Sequence, residues 1–140
     1  MAAFNKFNAF VEHLSEGVHN LGSDSLRIAL CNASNAPVAG DSVLADLTEV
    51  AYTNLSSRDL TVSDSSQTGG TYKLTVDDIV LTASGGGVAT FRYVVIYNDT
   101  PTSPVDPLIC WFDKGSDVSL SDGETLTVDF DDANGLLQLS

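Results

Sequence analysis

The first twenty residues differ in hydrophobic period from everything after them. Phe4, Phe7, Phe10, Val11, Leu14 and Val18 recur at intervals of three and four, which predicts one apolar stripe along an amphipathic helix. Gly17 and then Asn20 to Gly22 end it. Two readings of the stripe are open. It covers one end of the chain's own core, or it is a docking arm whose phenylalanines a partner buries.

From Leu26 the period falls to two. Leu26, Ile28 and Leu30 alternate with Arg27, Ala29 and Cys31, the pattern of a half-buried strand. Residues 33 to 42 read as a loop, residues 43 to 51 fit a short helical turn, and Leu60 and Val62 resume alternation. Beyond the polar residues 63 to 70, Tyr72, Leu74 and Val76 share one face, but Ile79, Leu81 and Ala83 have the opposite parity. A hairpin at Asp77 and Asp78 or a bulge in one long strand produces that shift, and the bulge is favoured because Asp-Asp is a poor two-residue turn. Residues 90 to 97 are apolar on both faces, with Phe91, Tyr93, Val95 and Tyr97 on one and Val94 and Ile96 on the other. Residues 108 to 112 repeat the trait. Such strands are central, or they leave one face for a partner. Between them, residues 98 to 107 hold three of the four prolines and form a loop. A three-residue loop at Ser121, Asp122 and Gly123 would pair Leu120 with Glu124 and Val118 with Leu126. Leu136 to Leu139 form a last apolar stretch.

About eight short strands at regular spacing predict an all-β fold, an antiparallel β-sandwich or jelly roll with one N-terminal amphipathic helix. Residues 1 to 22 are the expected helix or arm, and residues 23 to 140 a single β-sandwich domain. At 140 residues the chain is long enough to bury one core without staples.

Charge narrows the partners. Nineteen acidic residues against six basic ones give a net charge of -13, and the six cations (Lys6, Arg27, Arg58, Lys73, Arg92 and Lys114) are scattered singly. A phosphate backbone requires clustered positive charge, so no nucleic-acid partner is expected. No apolar run approaches the ~20 residues of a membrane span, and no secretory signal opens the chain. Neither a membrane partner nor a secretory route is therefore expected, and synthesis takes place in the cytoplasm.

Candidate chemistry is sparse. His13 and His19 lie about 240° apart on a helix and cannot share a metal on one face, so both read as solvated. Cys31 and Cys110 sit in apolar stretches and read as buried free thiols. The run Asp129, Asp131, Asp132, Asn134, Gly135 fails the EF-hand pattern, with Ala133 at the fifth position and Asn134 where glycine is needed, and reads as a solvated turn. The glycine pair at 69 and 70 and the triplet at 85 to 87 lack the lysine of a phosphate loop. No enzymatic activity, cofactor or metal is expected. Trp111, Tyr93 and Tyr97 are able to stack on a sugar, but they lie in the most apolar strands, where core packing or an interface is favoured. The candidate protein-interface residues are Phe4, Phe7, Phe10, Val11, Leu14, Tyr93, Tyr97 and Trp111.

The stretches AFNKFNAFVEHLSEGVHNLGSDSLRIAL, SSQTGGTYKL, FRYVVIYND, PLICWFDKG and DGETLTVDF together span nearly the full length and resemble small virion proteins of tailed bacteriophages, of the capsid cement or decoration type. The resemblance implies a jelly-roll-like homodimer or homotrimer on the outer capsid surface, bound to the major capsid protein and bracing its lattice. A tail or fibre subunit, or a carbohydrate-binding module, are the competing expectations. An acidic surface suits the outside of a DNA container.

Overall fold

A computed structural model describes residues 2 to 140. In chain order the elements are β1 (Asn5–Lys6), α1 (Asn8–Ser15), β2 (Leu26–Cys31), β3 (Val62–Thr68), β4 (Thr71–Val76), β5 (Ile79–Thr82), β6 (Phe91–Asn98), β7 (Leu108–Val118), β8 (Thr125–Val128) and β9 (Leu137–Leu139), with 3-10 turns at Ala33–Asn35 and Leu44–Asp46. The protein is mostly β with one α-helix among the described residues. Its strands form a four-stranded sheet ordered β1-β7-β6-β2, a three-stranded sheet β3-β4-β9 and a two-stranded sheet β5-β8, all antiparallel.

The four-stranded sheet is the frame. Its register sets Trp111, Val95 and Ala29 side by side in one row and Cys110, Ile96 and Ile28 in the next, so alternate rows face opposite sides. One side meets the other two sheets in the main core, where Leu74, Val76, Leu81 and Val128 pack with Ile28, Val94 and Ile96. On the other side Ala29, Cys31, Val95, Tyr97 and Leu108 form a second cluster, covered by Phe7, Leu44 and Leu47. The two strands that are apolar on both faces are thus central, and the chain itself covers both sides. Main-chain bonds from Leu44 N–H to Asp106, from Leu108 N–H to Ser42 and from Asn8 N–H to Ala39 hold the covering loop in place.

Several expectations need correction. The N-terminal stripe is not one helix. Residues 5 and 6 are extended and pair with Trp111 and Cys110, and the helix starts only at Asn8. In a strand the period is two, so the three-residue spacing of Phe4 and Phe7 sends them to opposite faces. Phe4 meets Phe112 edge-on at 6.1 Å, whereas Phe7 lies against Trp111 at 4.6 Å. The helix end follows the sequence: Gly17 takes φ +78°, and bonds from Gly17 N–H to Leu14 and Val18 N–H to His13 close a Schellman motif.

At Asp77 and Asp78 neither the bulge nor the hairpin forms. β4 and β5 belong to different sheets, and the two aspartates are the joint between them. Asp77 N–H donates to Thr61, and the Asp78 carboxylate accepts Phe130 N–H at 2.8 Å. In β6 a register shift between Phe91 and Tyr93 turns Phe91 into the main core, away from Tyr93, Val95 and Tyr97. The loop at 121 to 123 has the expected local form, with Gly123 at φ +85° and Glu124 N–H donating to Ser121. Its flanking strands do not pair with each other. Val118 faces Phe91 and Leu126 faces Leu81, because β5 occupies the edge of β8.

Candidate interaction surface

Burial separates the candidate interface residues into three groups. Phe7, Phe10 and Tyr97 are at most 2% exposed and lie inside the chain's own packing, so they present nothing to a partner. Their burial follows from position: Phe7 ends the β1 segment on the covered side of the sheet, Phe10 is the inward residue of the short helix, and Tyr97 sits in central β6. Leu14, Tyr93 and Trp111 are half-buried, Leu14 against the main core and the two aromatics at the rim of the second cluster. Phe4 and Val11 are 40% and 48% exposed. No continuous phenylalanine surface results. The other large exposed apolar residues, Val38, Val80, Val105 and Leu139, lie on separate loops and strands.

Among the grooves on the described surface, two bear on the candidate residues and the acidic side chains. One, of about 510 Å³, runs between the end of α1 and the β3–β4 hairpin, lined by Leu14, His19, Leu21, Ser65, Tyr72 and Leu139. Within it the Tyr72 and Ser65 hydroxyls are 2.8 Å apart. The second, of about 430 Å³, lies between Leu44, Leu47, Pro104 and Val105 and carries Glu49 and Asp106 on its wall. Burial, and then the neighbouring Asp99 and Glu49 carboxylates, push the Asp106 carboxyl above its ordinary range.

A polar network beside the first groove has no counterpart in the sequence reading. His19 is not solvated. The Schellman turn folds the chain back after α1, leaving His19 6% exposed with its ring 5.2 Å from Phe10 and 6.1 Å from His13. Asn98, fully buried, donates from Nδ2 to His19 Nδ1 at 3.0 Å and to the Asp24 carboxylate at 2.7 Å, and its Oδ1 accepts Thr100 N–H. Asp24 also accepts Asn20 N–H. Burial, and then the neighbouring His13, lower His19 to about 4. The helical periodicity carried no signal of this, because His19 lies beyond the helix.

The remaining titratable candidates have structural settings. Cys31 and Cys110 are free and buried on opposite faces of the four-stranded sheet. Burial pushes the Cys31 thiol up to about 11 and raises Cys110 further. Asp131 closes a turn, accepting both the main-chain and side-chain N–H groups of Asn134 at 2.9 Å, which hold its carboxyl below the usual range. Among the described residues, no three His, Cys, Asp or Glu side chains converge as metal ligands.

No family model, curated protein or solved structure matches the chain.

The described surface offers rim aromatics, single exposed apolar residues, open grooves and a large excess of carboxylates.

Proposed function

We propose that this chain is a structural virion protein of a tailed phage, made in the host cytoplasm, that binds the major capsid protein from outside as a homo-oligomer and stabilises the lattice. The observation that carries the reading is the distribution of apolar surface. The large aromatics Phe7, Phe10, Phe91 and Tyr97 are buried within the chain, and the exposed apolar residues are dispersed over a protein of net charge -13. Contacts of that size are individually weak, and they become strong only when repeated across a symmetric assembly. The acidic surface favours the side of the shell away from DNA. In the same reading the fold is an antiparallel sandwich of jelly-roll kind, supported by the main core lying between the four-stranded sheet and the two smaller ones.

Co-sedimentation of the purified protein with capsids that lack it, followed by cryo-electron microscopy of the particles, tests the proposal. Saturable binding at regular lattice positions is expected. Absence from the capsid, with density or labelling on the tail, would move the protein to a tail or fibre role. The half-exposed Trp111 and Tyr93, on one face of the sheet, support a second reading as a carbohydrate-binding module. Specific glycan-array binding lost in Trp111→Ala, with the fold retained, would favour it.

A further inference from the structure

Open sheet edges invite pairing with another chain, and proteins usually cover or charge them. Most edges here are managed. Along the free side of β2, Leu60 N–H and the Arg58 guanidinium donate to the Leu26 and Ile28 carbonyls, Ile28 N–H donates to Arg58, Leu30 N–H to the Tyr52 hydroxyl, and Val50 N–H to Leu30. The outer side of β5 is held by Ser56. β8 is four residues long with Glu124 and Asp129 at its ends, and β9 has three residues. The part of β7 beyond β1 carries Asp113, Lys114 and Asp117.

β3 is the exception. It is an outer strand of its sheet, without Lys, Arg or Pro, and past a register shift between Val62 and Asp64 it pairs regularly from Asp64 to Thr68. Thr68 and Thr71 flank a two-residue turn, Gly69-Gly70, with both glycines at positive φ. In such a hairpin the flanking residues bond to each other, so Thr68, Ser66 and Asp64 turn their main-chain groups toward β4 while Ser65 and Gln67 turn theirs outward. Among the described residues those outward groups have no main-chain partner. Charge singles out the same place. Residues 62 to 76 contain one acid, Asp64, and one base, Lys73, so the hairpin is neutral in a chain of net charge -13.

We propose that β3 is a self-association edge on which the β3 of a second copy adds antiparallel about a two-fold axis through Ser66. Ser65 then exchanges main-chain bonds with the partner's Gln67, and Gln67 with the partner's Ser65. Asp64 faces the partner's Thr68, so no like charges oppose each other. The two three-stranded sheets become one six-stranded sheet with closed symmetry. This deepens the homo-oligomer part of the function proposed above. Few bonds form per copy, so the dimer is weak in free solution and gains strength when both copies are anchored to one lattice.

Sedimentation equilibrium of the full chain from about 10 µM to about 1 mM tests the edge without any capsid. The wild type is expected to dimerise reversibly within that range. Ser66 is exposed and opposes itself across the axis, so Ser66→Lys and Ser66→Asp should each weaken association at least about tenfold, while an equimolar mixture of the two restores it. A wild type that stays monomeric throughout overturns the proposal, as does a dimer indifferent to both variants or a mixture that fails to recover. Failure here leaves the capsid-binding experiment unaffected, and failure there leaves this edge standing.

Discussion

Phe7 and Val11 share the hydrophobic stripe that periodicity draws along the N-terminus, yet one is fully buried and the other 48% exposed. Phe7→Ala should remove the aromatic contact with Trp111 and open a cavity beneath the covering loop, costing about 3–5 kcal/mol in urea denaturation. Val11→Ala should stay within about 0.5 kcal/mol. Equal effects would mean that the stripe behaves as a single surface. His19 supplies a pH dependence with a definite sign. Its folded value of about 4 lies below the ordinary 6.5, so the stabilising contribution is complete above pH 6.5 and is lost as pH falls toward and through 4. Between pH 7 and pH 5 the wild type should lose about 1 kcal/mol relative to His19→Gln, which keeps an acceptor for Asn98 but does not titrate. Denaturation midpoints that run parallel for the two proteins across this window would remove His19 as the cause.

Among the elements, β2 shows how an irregular segment stabilises a regular one. Residues 50 to 60 contain no named strand, yet they satisfy the main chain of β2 on its outer side. Tyr52 is the pivot: its hydroxyl accepts Leu30 N–H at 2.9 Å and donates to Glu49 at 2.6 Å, and the Arg58 guanidinium lies 3.7 Å from its ring centre. Burial, and then the bond to Glu49, raise the Tyr52 hydroxyl well above its ordinary range. Tyr52→Phe should leave Leu30 N–H unpaired and cost about 1–3 kcal/mol, with faster amide exchange at Leu30 as the local readout. Strand alternation foretold β2 and β4, and a run apolar on both faces foretold β6, because their side chains meet a core on at least one face. Alternation says nothing about which edge meets which. That is why the Gly123 turn was legible while the partner of β8 was not, and why Asp77 and Asp78 read as an irregularity in one strand although they join two sheets. The β1 segment was illegible for a related reason: a three-residue spacing fits a helix, and only the exposed edge of β7 makes an extended pairing worth more.

At the scale of the molecule, the predominance of β structure follows from the apolar pattern, but the pattern leaves open whether strands apolar on both sides are central or exposed, and only the packing of the loop and the smaller sheets decides for double covering. The candidate surface was less legible, since local periodicity cannot tell an aromatic used in the core from one left at the rim, and five of the eight candidate residues are not fully buried. Net charge acts at this scale as well. Two ion pairs, Arg27–Asp59 at 2.7 Å and Arg92–Asp113 at 2.9 Å, are formed among the described residues, leaving most of the nineteen acidic residues without a paired cation. Repulsion among like charges opposes the compact state. Raising sodium chloride from about 20 mM to about 300 mM shortens the screening length from roughly 20 Å to roughly 6 Å, so the thermal midpoint should rise by about 3–5 °C, the equivalent of about 1 kcal/mol. The rise should level off near the upper salt concentration, because screening by then has removed most of the longer-range repulsion. A midpoint that falls with salt would show instead that the two ion pairs outweigh the repulsion. Double substitution of Arg27 and Arg92 by Gln should then abolish that fall.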